Sequence, residues 1–235
     1  MVLVFIFLKL FLRLDFITFF DTIVLMQLVG ILQIKSYDKV KEFLNQEHVG
    51  RISSIDQNGY PQIIPMNFVF LHDAVYMHSH VRGEKLDNIK RNNKVGFEAD
   101  RELEFLPSYF EDPKNASLAD TLYISIVIKG IASVVTNREE KALALNGLME
   151  KYQPEGMYEP IMPTMKVLDG VTVIKVVPMV LHGKYKIGQH LNRMDRIELA
   201  EKILKRNSSS SMNTLKLMGF EITSEGLKMI DEPTW

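Results

Sequence analysis

Residues 74–100 read AVYMHSHVRGEKLDNIKRNNKVGFEAD, and the fold turns on how this stretch is parsed. It opens as an extended apolar run (74–80), turns, continues as a short helix from Gly83 to Asn92, and returns as a second extended run (94–100). A strand that gives way to a helix within a few residues places a helix N-terminus, with unpaired N–H groups and partial positive charge, at the end of a sheet. Ser79 adds a hydroxyl donor and Lys85 a full charge one turn in, while Gly83 lets the backbone turn sharply or approach a ligand. Together these suit a phosphate monoester. The same residue types also build ordinary strand–turn–helix junctions, so the motif alone is weak.

Working outward, Lys39, Val40, Phe43 and Leu44 have helical spacing, and the runs 49–55 and 61–71 precede the junction. Asp56-Gln57-Asn58-Gly59 and His72-Asp73 separate the three extended runs, which predicts a β-meander. The longest strand is predicted over 122–135, with Leu122, Ile124, Ile126, Ile128, Ala132 and Val134 on the core face and Gly130 marking a bulge or a barrel corner. Asn137 with Glu140 reads as a capping box opening a helix that carries Leu145, Leu148, Met149 and Tyr152 on one face. Residues 171–181 give a final strand, with Pro178 at an edge or bulge. Residues 191–235 read as a C-terminal helical tail interrupted by a flexible break at Ser208–Ser211. About six strands without regular βαβ alternation predict a mainly β, α+β architecture: an antiparallel barrel with attached helices over 35–190.

Composition removes several chemistries. There are no cysteines, so thiolate zinc sites, cysteine-ligated clusters, disulfides and cysteine nucleophiles are excluded. A formal net charge of −1 supplies no global field for a nucleic-acid backbone. No nucleophile-elbow sequence supports a Ser/His/Asp hydrolase. His72, His78 and His80 lie close in sequence, but no carboxylate or second histidine pair completes a metal-ligand spacing. Asn115-Ala116-Ser117 and Asn207-Ser208-Ser209 match glycosylation acceptors, which carry little meaning without a secretory signal.

Several blocks in order carry a family resemblance. Tyr76-Met77-His78-Ser79, Gly83-Glu84-Lys85 and Asn92 through Glu98 resemble the FMN-binding split-barrel family related to pyridoxamine 5′-phosphate oxidase, and within it the nitroimidazole-resistance branch. Leu106-Pro107-Ser108, Tyr123 to Ile126 with Gly130, and Gly183-Lys184 resemble further points of that branch, so the likeness spans about 36–190. It implies an FMN-binding split β-barrel and a homodimer with FMN at the subunit interface. It also implies that Ile63, Ile64, Pro65, Met66 and Asn67 lie along the flavin ring, that Ser79 and Lys85 hold the phosphate, and that Lys184 reaches the flavin of the partner subunit. His78 is the candidate catalytic residue, as a proton donor; its alternative role is that of a hydrogen-bonded structural histidine.

The implied activity is that of a flavin-dependent oxidoreductase working between small-molecule electron donors and acceptors, in the cytoplasm. A non-catalytic flavin carrier or sensor and a haem-binding or haem-degrading protein are the alternatives. The chain departs from the oxidase itself where an arginine and a lysine facing FMN become Gln62 and Asn67, which weakens a vitamin B6 reading. Residues 107–121 are long enough for a lid over the site.

Residues 1–34 form a hydrophobic extension in which Lys9, Arg13, Asp15 and Asp21 interrupt every run long enough to span a bilayer. The segment is either a membrane-surface or partner-binding helix or an artefact upstream of a true start at Met26; the second reading is favoured. Mass spectrometry of the native protein is expected to find Met26 at the N-terminus, and peptides from residues 1–25 would refute this.

Overall fold

The computed structural model describes residues 30–233. The readings given to residues 1–29, a surface helix or a start at Met26, lie outside the described residues. The chain divides into two compact units: one built on residues 34–185, the other on 186–233 with the short N-terminal stretch before residue 34.

In the larger unit, helix α1 (Tyr37–Gln46) is followed by strands β1 (Val49–Ile55), β2 (Pro61–Asn67), β3 (Val69–Leu71) and β4 (Ala74–Ser79). Helix α2 (Glu84–Arg91), strands β5 (Lys94–Leu106) and β6 (Asp120–Val134), helix α3 (Arg138–Tyr152) and strand β7 (Thr172–Lys186) complete it. The strands form one seven-stranded sheet in the order β2-β1-β5-β6-β7-β4-β3, and the strand pairs with a defined register are antiparallel. The sheet curls into a half-barrel, so β2 at one edge comes near β4 close to the other edge, although the two are not neighbours in the ladder.

Local chemistry explains the elements. Ser36 caps α1 by accepting from the Lys39 N–H at 3.3 Å. Asp56 closes the β1–β2 hairpin, its side chain accepting from the N–H groups of Asn58 and Tyr60 at 2.8 Å each. His72 (φ 46°) and Asp73 (φ 59°) form the two-residue left-handed turn that a tight β3–β4 hairpin requires. In β6, Leu122, Ile124, Ile126 and Ile128 are at most 1% exposed, each worth about 1.5–3 kcal/mol of burial. α3 covers the sheet through Ala142, Ala144, Leu145 and Leu148 against Val69, Tyr76 and Val173.

Around β6 and the start of α3, three details differ from the sequence reading. The alternation of β6 ends at Ala132; Val134 is 39% exposed and Val135 takes the buried place, its N–H bonded to the Val173 carbonyl. Gly130 is not a bulge, since it pairs in register with Val95 and the β5–β6 irregularity sits at Glu102/Glu104. Its role is close approach: a Cβ there would meet Val176 Cγ1 at 2.6 Å and the Val177 carbonyl at 2.7 Å, so only glycine lets β7 lie so near. Half of the capping box forms, with Asn137 accepting from the Glu140 N–H, but the Glu140 carboxylate instead accepts from Tyr76 Oη at 2.8 Å and Lys175 Nζ at 2.7 Å.

The predicted strand 61–71 is two strands, because Phe68 leaves the ladder. Its N–H donates to Tyr152 Oη at 2.9 Å and its carbonyl accepts from Lys151 Nζ at 3.0 Å, both from the end of α3. Lys151 Nζ also donates to the Leu44 carbonyl at 2.9 Å and lies 3.8 Å from the centre of the Phe68 ring. The Tyr152 hydroxyl donates to the His48 carbonyl.

In the smaller unit, helices α4 (Arg193–Arg206) and α5 (Ser211–Leu217) precede a hairpin of β8 (Phe220–Thr223) and β9 (Gly226–Met229) that the helical reading of the tail did not contain. Ser208–Ser211 is a hydrogen-bonded turn: the Ser208 N–H donates to Ser211 Oγ at 3.0 Å, and Ser211 Oγ donates to the Ile203 carbonyl at 3.2 Å. Among the described residues no helix is long and apolar enough to cross a membrane.

Two stability measurements check the Phe68 junction. Tyr152→Phe is expected to cost about 1–3 kcal/mol in urea unfolding, because it removes the partner of a buried backbone N–H. Burial pulls the Lys151 amine down from 10.5 to about 8, against the opposing pull of Glu47. Between pH 8 and 10.5 the unfolded chain therefore holds more protons at this group, so its contribution improves as pH rises through that window. From pH 7 to 9.5 the native protein is expected to gain stability relative to Lys151→Met; parallel curves would refute the assignment.

Candidate functional site

β4 ends at Ser79, four residues turn through His80 to Gly83, and α2 begins at Glu84. Gly83 has φ 151° and ψ 153°, a conformation closed to residues with a side chain, and nothing lies within 4 Å of where its Cβ would be. No side chain caps α2; the Leu86 and Asp87 N–H groups donate to the Gly83 carbonyl, which leaves the first two, of Glu84 and Lys85, facing the space beside Gly83. Across that space runs β2. Together the two walls enclose a cleft of about 440 Å³ lined by Gln62, Ile64, His78, Ser79, Arg82 and Lys85, with His80, Gly83 and Glu84 at the turn.

Strand alternation sorts the sequence-derived candidates. Gln62, Ile64 and Met66 are the half-buried members of β2, and Ile64 lines the cleft. Ile63 (62% exposed), Pro65 and Asn67 point their side chains to the opposite face of the sheet and do not line the cleft. Pro65 pairs with Arg51 on an edge strand, a position where its missing N–H costs nothing to the ladder. Lys184 lies outside the cleft, with Nζ 5.5 Å from the centre of the Tyr123 ring. Residues 107–121 hold two 3₁₀ turns and supply no wall of the cleft.

His78 is exposed, pairs through its backbone with Val173, and makes no side-chain hydrogen bond among the described residues. His80 Nδ1 accepts from the Arg82 N–H at 3.2 Å, which shapes the turn. His72 sits in the hairpin at the far end of β4, about 20 Å along the strand from His78 by strand rise. Among the described residues no three histidine or carboxylate groups gather as a metal site.

Lys85 carries the electrostatic peculiarity of the site. Its side chain is half-buried, burial draws its amine below the ordinary lysine range, and among the described residues no carboxylate pairs with it. Its one polar contact is Met66 Sδ at 3.5 Å. The neighbouring acid, Glu84, turns instead to Gln62, whose Nε2 donates to Glu84 Oε2 at 2.5 Å. Gln62 Oε1 accepts from Asn88 Nδ2 at 3.2 Å, and Asn88, 1% exposed, also donates to Ser54 Oγ and accepts from Arg91 Nη2 at 2.8 Å. Arg82, Glu84 and Asn88 were missed from sequence. The Arg-Gly-Glu run at a helix start marks the first two, but nothing local marks a buried asparagine on a polar helix.

A larger hollow of about 640 Å³ lies at the other end of α2, between Lys90–Asn93 and Ala132–Val134. Its cations are already engaged: Arg91 donates to the Ile55 carbonyl and to Asn88, and Lys90 lies 3.6 Å from Asp87. The cleft at Lys85 is therefore the better anion site.

A family model described as pyridoxamine 5′-phosphate oxidase matches residues 36–184. Among solved structures, the chain is similar to a provisionally named 5-nitroimidazole antibiotic resistance protein from Bacteroides thetaiotaomicron, at 23% identity over 65% of this chain and 86% of that one, with a TM-score of 0.55. A flavocytochrome from Azotobacter vinelandii follows at 18% identity, 66% and 69% coverage and a TM-score of 0.56. An FAD and heme binding protein from Mycobacterium smegmatis gives 12%, 66%, 73% and 0.55. At these identities the likeness is one of fold. No curated protein matches the chain.

Proposed function

Since the chain belongs to the pyridoxamine 5′-phosphate oxidase family across residues 36–184, we propose that its cleft binds a flavin, and specifically FMN, in a homodimer that acts as an oxidoreductase on small electrophilic compounds. The observation that carries the reading is Lys85: a half-buried ammonium with no carboxylate partner among the described residues, one residue inside a helix N-terminus that no side chain caps. A phosphate supplies the charge that Lys85 and the bare amides lack. The fit extends to Ser79, whose hydroxyl lines the same cleft, and to the open space beside Gly83. On the other wall Ile64 and Met66 offer apolar contact for a ring system, as ligand clefts commonly do.

Bound flavin would supply the hydride and electron transfer that no side chain of this chain can carry. The residues do the rest. Lys85 and Ser79 hold the phosphate, β2 offers its free edge to the polar rim of the ring, and His78 holds a proton at an imidazole nitrogen free of internal partners. Lys184 of the second copy would reach the flavin and complete the enclosure.

Haem is a second reading, favoured by the His78 ring, which has no side-chain hydrogen bond among the described residues and could ligate the iron, and by two similar structures, a flavocytochrome and an FAD and heme binding protein.

The spectrum of the purified protein decides between them. Flavin absorption without a Soret band is expected, and the bound flavin is expected to be released as FMN on denaturation. Protein that stays colourless after soaking in FMN would overturn the reading, and a Soret band would replace it with haem. Lys85→Ala and Ser79→Ala are each expected to weaken FMN binding by about ten- to a hundredfold, the worth of a charge-assisted hydrogen bond of about 1.5–3 kcal/mol, while leaving riboflavin binding unchanged.

A further inference from the structure

We propose that Gln62 is a positioning residue that holds the Glu84 carboxylate away from Lys85 and so keeps the Lys85 ammonium open to an anionic ligand. The proposal rests on the anion reading of the cleft given above.

A carboxylate at the mouth of an anion site is a competitor for that site. Glu84 and Lys85 are consecutive, both line the cleft, and both side chains are long enough to meet across it. Yet they form no ion pair, and among the described residues the Lys85 ammonium has only the Met66 thioether at 3.5 Å. The carboxylate is engaged elsewhere, by Gln62 Nε2 at 2.5 Å. The donor end of Gln62 is fixed in that direction because its other end accepts from Asn88 Nδ2 at 3.2 Å. Asn88 is itself held from two sides, by Ser54 Oγ at 3.3 Å and by Arg91 Nη2 at 2.8 Å, and Arg91 is anchored on the Ile55 carbonyl at 2.8 Å. A chain of side chains running from β1 through α2 to β2 thus ends on Glu84. The other titratable groups facing Lys85 are His78, His80 and Arg82, and among the described residues none of them is an acid. Without Gln62, Glu84 is the one carboxylate in the cleft able to neutralise Lys85.

The experiment compares the full chain with Gln62→Leu, Glu84→Gln and the double variant, by titration with inorganic phosphate and with FMN and by carbon NMR of the Lys85 side chain across pH. Gln62→Leu is expected to weaken both anions by about tenfold or more, as a freed carboxylate pairs with the ammonium, and Glu84→Gln to bind them as tightly as the parent or tighter. The double variant is expected to recover the affinity of Glu84→Gln. Lys85 is expected to titrate below ordinary lysine in the parent, to move up in Gln62→Leu, and to return in the double variant. A double variant as weak as Gln62→Leu, or a Lys85 titration indifferent to Gln62, overturns the proposal. If the parent binds neither anion, the flavin reading fails, and the Lys85 titration still decides the role of Gln62.

Discussion

The structure depends on two hydrogen bonds to one residue outside any strand. Phe68 has its N–H taken by Tyr152 and its carbonyl by Lys151, so the peptide groups that would continue a ladder are satisfied by side chains from α3. A buried backbone group without a partner costs about 1–3 kcal/mol, and continuing β2 straight on would have been the simplest way to avoid that cost. With the groups satisfied locally, the chain can break direction. β2 stays with β1 on one side of the sheet, while β3 starts one residue later and joins β4 on the other. That single change of partner curls seven strands into a half-barrel and brings β2 within reach of the β4–α2 turn. The cleft exists because one strand was prevented from being longer.

Most of what makes the sheet was legible in sequence, since it lies in local periodicity. The alternation of Leu122 through Ile128, the turn chemistry of Asp56 to Gly59, and the strand-to-helix change around Gly83 all appear at their predicted places. The break at Phe68 was not legible. Its partners lie more than 80 residues away, and PQIIPMNFVFL carries no glycine to announce an interruption. Val134 misled for a similar reason: the apolar pattern runs on past Ala132, but the buried alternation stops there, two residues before the strand ends, and the next buried contact goes to Val135.

The site was legible by residue type more than by geometry. Ser79, Lys85 and His78 could be read because a strand end and a helix start fix them within a few residues of each other. The β2 candidates were chosen as a continuous run, whereas a strand can present only every second side chain to one face, which leaves Gln62, Ile64 and Met66 on the cleft side. Gln62 was visible as the absence of a cation. That its amide would meet a carboxylate, oriented by an asparagine 26 positions on, is a fact of three-dimensional packing.

Two lysines show why the anion belongs where it is proposed. Lys151 is largely and Lys85 partly withdrawn from water, and burial draws both amines below the ordinary value. Lys151 is fully provided for, with two carbonyl acceptors, an aromatic face and Glu47 nearby. Even as a neutral amine it keeps enough N–H donors for both carbonyls, so its burial serves the fold. Lys85 has a thioether, which is a weak acceptor, and beside it a carboxylate held in another direction. Burying an ammonium without acceptors destabilises a protein unless something offsets the lost hydration. Within the described residues nothing does, and the open amides of α2 add to the same deficit. A ligand carrying concentrated negative charge and several acceptor oxygens would satisfy both at once, whereas a neutral ligand would relieve neither. The placement proposed for the phosphate thus rests on what the fold provides at Lys151 and withholds at Lys85.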